Sequence, residues 1–344
     1  MEEFHIMPKF QATSPTLDIV IPAYNARDWL PACIEKAKKS ASFAGINLSK
    51  IIVVDDGSTD GTAEVLNRTY ADQVLVHSQK NQGRFLARET GASLATSEFI
   101  LFLDSRVWID EAALSFVLPY LRDENSQVWT CDVTVSLTDN PIARFWFVIE
   151  RIFWNYYYKE PRSIKITTIN FDLVPKGTGA LLIPRNLFLT ACKEFRSFHS
   201  LSNLKKINDD TAILRQIVSE TPIMIDPSYK CTYFARTSIK SFLRHANHRG
   251  SVLIDGHWRQ GTRLRTPITT SFFLVPALIL FAAAFTRFSI TAALLVQLGV
   301  FLELLRRRFG LFTSSVFVLL APAFSLAYFS GMIYGLLLRA RNHV

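Results

Sequence analysis

An α/β fold, with a mainly parallel sheet covered by helices on both faces and transmembrane helices after it, is what this sequence predicts. Three observations carry that expectation. Short apolar runs alternate with helix-like stretches as far as Leu121, the pattern of parallel strands joined by right-handed crossovers. One run, Ile51-Ile-Val-Val-Asp-Asp-Gly-Ser-Thr-Asp-Gly-Thr62, ends in a loop of three carboxylates, two glycines and three hydroxyls; open α/β sheets bind their ligands beyond the carboxyl ends of such strands. Three long apolar stretches, 268–286, 288–305 and 311–338, then follow, against the roughly 17–25 residues that a membrane-crossing helix needs.

The elements are expected in this order. Leu17–Pro22 is a strand and Arg27–Phe43 its helix; Ile51–Asp55 is the second strand. The Ser, Thr and Asp residues after it suit the start of a helix over Gly61–Thr69. Gln73–His77 is a short third strand, Arg84–Ala95 a helix, Phe99–Leu103 a fourth strand and Asp110–Leu121 a helix. Val128–Ser136 continues as a strand. Arg144–Lys159 carries Phe145, Trp146, Phe147, Phe153, Trp154, Tyr156, Tyr157 and Tyr158, which serve equally as an interfacial helix at headgroup depth or as a large core face. Asn208–Ser219 and Thr237–His257 are the later helices, the second basic and leading toward the membrane.

The 344 residues are 49% hydrophobic with a mean hydropathy of +0.18, above soluble-protein usage. The expected division is a tail over 1–14, an α/β domain over 15–235, a basic interfacial or juxtamembrane segment over 236–266 and a transmembrane domain over 267–344. Met1–Gln11 has no apolar signal core, so the α/β domain is expected on the cytoplasmic side of the cell (inner) membrane. The net charge of +9 is concentrated before the first apolar stretch (Lys230, Arg236, Lys240, Arg244, Arg249, Arg259, Arg263, Arg265) and at Arg306-Arg307-Arg308. That placement fits a cytoplasmic leaflet and disfavours nucleic acid as the partner. Cys33, Cys131, Cys192 and Cys231 show neither metal nor framework spacing, which fits a reducing compartment. Three spans are expected, with Pro322 and Gly331 permitting a hairpin in the last instead.

Ile21-Pro22-Ala23-Tyr24-Asn25, Asp55-Asp56-Gly57-Ser58-Thr59-Asp60-Gly61-Thr62 and Phe102-Leu103-Asp104-Ser105-Arg106 together resemble the family 2 glycosyltransferases, over about residues 17–260. The resemblance implies a GT-A fold, Rossmann-like in its sheet, a nucleotide-sugar donor and inversion at the anomeric carbon. Pro22, Ala23, Tyr24, Asn25, Asp55 and Asp56 would bind the nucleoside, Asp56 foremost, with ordinary turn and cap chemistry as the alternative for Asp55, Ser58 and Asp60. Asn81-Gln82-Gly83-Arg84 resembles the family's segment before a helix, where Arg84 or Arg88 would meet the diphosphate. Asp104-Ser105-Arg106 stands where the family has Asp-x-Asp. Asp104 alone would then hold Mg2+ or Mn2+, or Arg106 would neutralise the diphosphate directly; its alternative is an outward pairing with Asp110.

Lys176-Gly177-Thr178-Gly179-Ala180 resembles the segment flanking donor sugar and acceptor, and Asn208-Asp209-Asp210 the motif whose second acid is the catalytic base. Asp210 takes that role, with Asp209 as rival and helix capping as the plainer duty of one of them. Arg236, His248 and Arg249 would contact diphosphate, an acceptor phosphate or lipid headgroups. The processive Gln-x-x-Arg-Trp motif is missing, so single transfers are expected, to a lipid-linked or cell-surface glycan. A polyprenyl-phosphate glycosyl synthase is the alternative, and a catalytically weak nucleotide-sugar-binding scaffold the second. On this division Asp56 governs donor affinity and Asp210 turnover.

Overall fold

The computed structural model describes residues 15–138, 140–197, 209–257, 270 and 286–342. The chain divides into two compact units, Met1–Thr134 with Lys159–Tyr233, and Val135–Tyr158 with Phe234–Val344.

The first unit is built on the apolar runs. β1 (Thr16–Ala23), β2 (Asn47–Asp55), β3 (Val74–Ser78) and β4 (Phe99–Leu103) lie parallel in the order β3-β2-β1-β4. All five residues of β4 are buried, as a strand covered on both faces requires. The sheet continues through β9 (Ala180–Pro184), which runs antiparallel to both β4 and β6 (Val128–Thr130), and ends with β10 (Ile223–Ile225) and β8 (Ile164–Ile166). The expected parallel sheet is therefore parallel in its first half and mixed in its second. A smaller sheet, β5 (Val107–Ile109), β11 (Lys230–Tyr233) and β7 (Asp132–Val135), was not foreseen.

Helices follow the strands. α1 (Leu30–Phe43) buries Leu30, Cys33, Ile34, Ala37, Ser40 and Ala41, one face of a 3.6-residue period. α2 (Thr62–Tyr70) and α3 (Arg84–Leu94) come next. The helix expected over Asp110–Leu121 shrinks to α4 (Ala113–Val117) and a 3₁₀ turn at Leu118–Tyr120, because Pro119 has no N–H to continue it. Val128–Ser136 breaks at Cys131 into β6 and β7, which belong to different sheets. Asp18 is buried and accepts from the N–H groups of Thr96 and Ser97 at 2.6 and 2.8 Å, fixing the turn that enters β4. Later in the chain come α7 (Arg185–Ser197) and α8 (Asp209–Glu220).

The fold brings two of the four cysteines side by side. Cys131 and Cys231, one hundred residues apart, are joined as a disulfide with Cα atoms 6.0 Å apart, and Cys33 and Cys192 are buried. Only the pairing of β11 beside β7 brings the two together, so no spacing in the sequence announces it.

In the second unit Asn140 caps α5 (Pro141–Phe153), accepting from Ile142 and Ala143 N–H, while its amide donates to Ala235 O at 3.1 Å. The aromatic stretch breaks at Trp154, leaving the short α6 (Asn155–Tyr158). Phe145 and Trp146 are buried against Phe242 of α9 (Ile239–His257) and Phe324 of a long apolar helix, so these two rings are core. Ile152 and Tyr156 stay exposed. α10 (Thr286–Arg306) and that long helix, α11 (Leu311–Asn342), complete the unit. α9 and α11 touch backbone to backbone: a Cβ at Gly331 would lie 1.9 Å from Asn247 O, and one at Gly250 2.0 Å from Tyr328 O. Over Leu311–Leu338 α11 is long and apolar enough to cross a membrane, by length and composition. The span expected over 268–286 lies outside the described residues, apart from residues 270 and 286.

Candidate active site

Two turns at the carboxyl ends of β1 and β2 are laced together. Asn25, at a positive φ of 49°, receives a bond on its Oδ1 from Thr59 N–H at 2.8 Å and donates its own N–H to Ser58 Oγ at 2.8 Å. Ala26 N–H donates to Thr62 Oγ1 and Arg27 N–H to Asp60. Asp60 lies below the usual carboxylate range: burial pushes it up, but the Thr62 hydroxyl and the N–H groups of Arg27 and Thr62 outweigh that. Turn and cap chemistry thus accounts for Asp60. Asp55 is buried and accepts from Ser58 N–H at 3.1 Å, while the Tyr24 ring is exposed.

Asp56 is buried and already surrounded by donors. Its two oxygens take Gln79 Nε2, Gln82 N–H and Gly83 N–H, each at 2.8 Å. It thereby pins the loop that opens α3. Gly57 makes the close approach feasible, since at φ 76° a Cβ would lie 2.8 Å from Asn81 N.

Of the two arginines on α3, Arg84 is exposed and Arg88 is 2% exposed. Arg88 Nη2 donates to Asp104 Oδ1 at 2.8 Å and Nη1 to Asp210 Oδ1 at 3.0 Å. One guanidinium therefore joins the acid after β4 to the acid at the start of α8, 122 residues from Arg88. Thr178 Oγ1 donates to the same oxygen of Asp210. Gly179 O accepts from Asp104 N–H at 2.8 Å, and its bare α-carbon is needed because a Cβ would lie 2.9 Å from Asp104 Oδ2. Gly177 exchanges bonds with Thr130 Oγ1 through both its N–H and its C=O, at 3.3 Å each. Asp104, Asp210, Thr178 and Gly179 are thus brought together, and Arg88 is the buried link. The side chain of Asp209 lies outside the described residues.

Arg106 is turned elsewhere. Its guanidinium lies over Trp29 at 4.3 Å, and Asp110 faces Lys230 at 3.8 Å. The aromatic partner at Trp29 carried no signal in the sequence, being far from Arg106 along the chain. Ser105 occupies the turn between them. Below this turn Cys33 Sγ donates to Val107 O at 3.4 Å. Burial first, and the charge of Asp104 second, push its thiol up to about 12, so it has no nucleophilic part to play. No group of three or more His, Cys, Asp or Glu suited to a metal occurs among the described residues.

Arg236, His248 and Arg249 all belong to the second unit. Arg236 O accepts from Asn140 at 3.4 Å, His248 O from the Ser251 hydroxyl at 2.8 Å, and the Arg249 guanidinium lies 4.8 Å over Trp146.

Comparison with known proteins bears on this arrangement. Residues 18–180 match the model of glycosyl transferase family 2. The chain is 33% identical to chondroitin synthase of Escherichia coli over 38% of this chain and 19% of that protein. It is 24% identical to poly(ribitol-phosphate) beta-glucosyltransferase of Bacillus spizizenii over 64% of this chain and 32% of that one. The chain therefore spans about a fifth and about a third of the length of these two relatives. A mannosyltransferase of Pyrobaculum calidifontis, solved with GDP-Man and Mn2+, superposes with a TM-score of 0.50 at 16% identity, covering 70% of this chain and 63% of that one, a likeness of fold. The matched stretch carries the laced β1 and β2 turns, Arg88 and Asp104, and over these residues the chain is similar to glycosyl transferase family 2.

Proposed function

We propose that this chain is an inverting, non-processive glycosyltransferase, moving a sugar from a nucleotide-diphosphate donor to a hydroxyl of a lipid-linked or cell-surface glycan at the cytoplasmic face of the cell membrane. The observation that carries the reading is the convergence of Asp104 and Asp210 on Arg88. Inverting transfer needs a charged donor end and, facing it, a carboxylate that takes the acceptor proton as the oxygen attacks. Asp104 marks the first and Asp210 the second. Arg88 and Thr178 both bond Asp210 Oδ1, which fixes the plane of that carboxylate before the acceptor arrives. Asp56 and Asn25 shape the nucleoside end indirectly, by holding the loops around it.

Asp104 fits a divalent cation that draws its remaining ligands from the diphosphate and water, as Mg2+ and Mn2+ do. The carboxylate is a hard oxygen donor and is one-third exposed. Bound there, the cation would neutralise charge on the departing diphosphate. The apolar α11 and the basic residues of α9 support the membrane part of the reading.

Transfer from a panel of nucleotide sugars, by purified protein with and without Asp210→Asn, tests the reading. Turnover should fall by about 10²–10⁴ in the variant, with donor binding kept. Full turnover of the variant with polyprenyl phosphate, an acceptor that is already ionised, would favour the synthase instead. Donor binding without transfer by either form would leave the scaffold. In the same assay EDTA is expected to suppress transfer, and undiminished rate would remove the cation.

A further inference from the structure

Lys176 lies at the foot of the segment that carries Thr178, and nothing above uses it. Its ammonium donates to Phe171 O and, at 2.9 Å, to Val174 O, and sits 4.0 Å from the Phe171 ring centroid. The 3₁₀ turn Phe171–Leu173 is thereby curled around the side chain. The other face of this small cluster is α8: Arg215 lies over the same ring at 4.4 Å and pairs with Asp172 at 2.6 Å. Asp210 is on α8 too. So the stretch from Phe171 to Thr178 and the helix that bears the proposed base are joined at two points, at Phe171 and Asp172 at one end and at Thr178 at the other.

We propose that Lys176 is a positioning residue for the transfer reaction: it fastens the turn Phe171–Leu173 to Gly177–Gly179 and so holds the Thr178 hydroxyl against Asp210. The inference rests on Asp210 as the base. Two carbonyls depend on one amine here, and a loop that loses both donors no longer has a defined shape. The titratable groups facing Lys176 are Asp172 on the turn and Arg215 on α8. Burial, the largest influence, brings its ammonium down to about 7, with Asp172 opposing and Arg215 adding to the fall. The charged form, with three donors and its attraction to the Phe171 ring, is thus the majority species below pH 7 and gives way above it.

The test is a pH–rate profile of wild type, Lys176→Met and Lys176→Arg, beside amide hydrogen exchange of residues 171–179. Lys176→Met is expected to lower kcat by about tenfold or more with donor affinity within about twofold, and to speed exchange at Gly177–Gly179. Lys176→Arg, which stays charged, should move the alkaline fall of kcat to higher pH. A Lys176→Met protein with wild-type kcat, or an alkaline limb that Lys176→Arg leaves in place, overturns the proposal. If the Met variant does not fold, the Arg variant decides. In the Asp210→Asn background Lys176→Met should cost little more, and a full further loss shows that it acts elsewhere. Should Asp210→Asn alone keep its rate, the base reading fails by itself, while the exchange measurement still reports on Lys176.

Discussion

Arg88 offers two hydrogen-bonding arms to two carboxylates while remaining 2% exposed. A cation so placed is tolerable only because it is paired on both sides, and removing it strands Asp104 and Asp210 beside each other. Arg88→Met should therefore lower unfolding free energy by about 1.5–3 kcal/mol in denaturant titration, the stranded acids being partly hydrated. Arg88→Lys should recover part of that, since one ammonium lacks the planar fork that reaches both acids. An Arg88→Met protein as stable as wild type would show that the pairs are not formed in solution. The sequence named Arg88 alongside Arg84. Spacing of i and i+4 puts both on one helical face, and only the second is buried. Asp56 was equally visible in the sequence, but its partners at Gln79, Gln82 and Gly83 were not, because they depend on how closely two loops approach at Gly57.

β1, β2 and β4 were legible as elements because each is a continuous apolar run bounded by Asp, Pro or Gly. β5 and β11 were not, because strands of three or four residues gain their identity only from distant partners, and β7 was read as one strand with β6. β9 was seen as residues and not as an antiparallel strand, since periodicity carries no information on direction. The helix pair α9 and α11 shows the same limit: hydropathy marked α11 for the membrane, yet its close contact with α9 at Gly331 and Gly250 is a matter of missing side chains. Gly331→Leu is expected to force these helices apart. Overpacking of this kind costs about 1–3 kcal/mol or more, so the melting temperature in detergent should drop by several degrees. An unchanged melting temperature would mean that α9 and α11 do not meet in the solubilised protein.

At the scale of the whole molecule, the second unit is assembled from two stretches of chain, Val135–Tyr158 and Phe234–Val344. A chain ended after Tyr233 keeps α5 and loses both helices that cover Phe145 and Trp146. It should expose those rings, bind hydrophobic dye strongly and aggregate. Phe145→Ser with Trp146→Ser in the shortened chain should restore solubility, and a shortened chain that is already soluble and dye-silent would refute this. The same layout sets a schedule for synthesis. On the ribosome the aromatic helix ending at Phe153 emerges before Ile239 has been added, and at roughly 5–20 residues per second the intervening stretch takes on the order of ten seconds. Through that interval the nascent chain displays a sticky face whose partners do not yet exist.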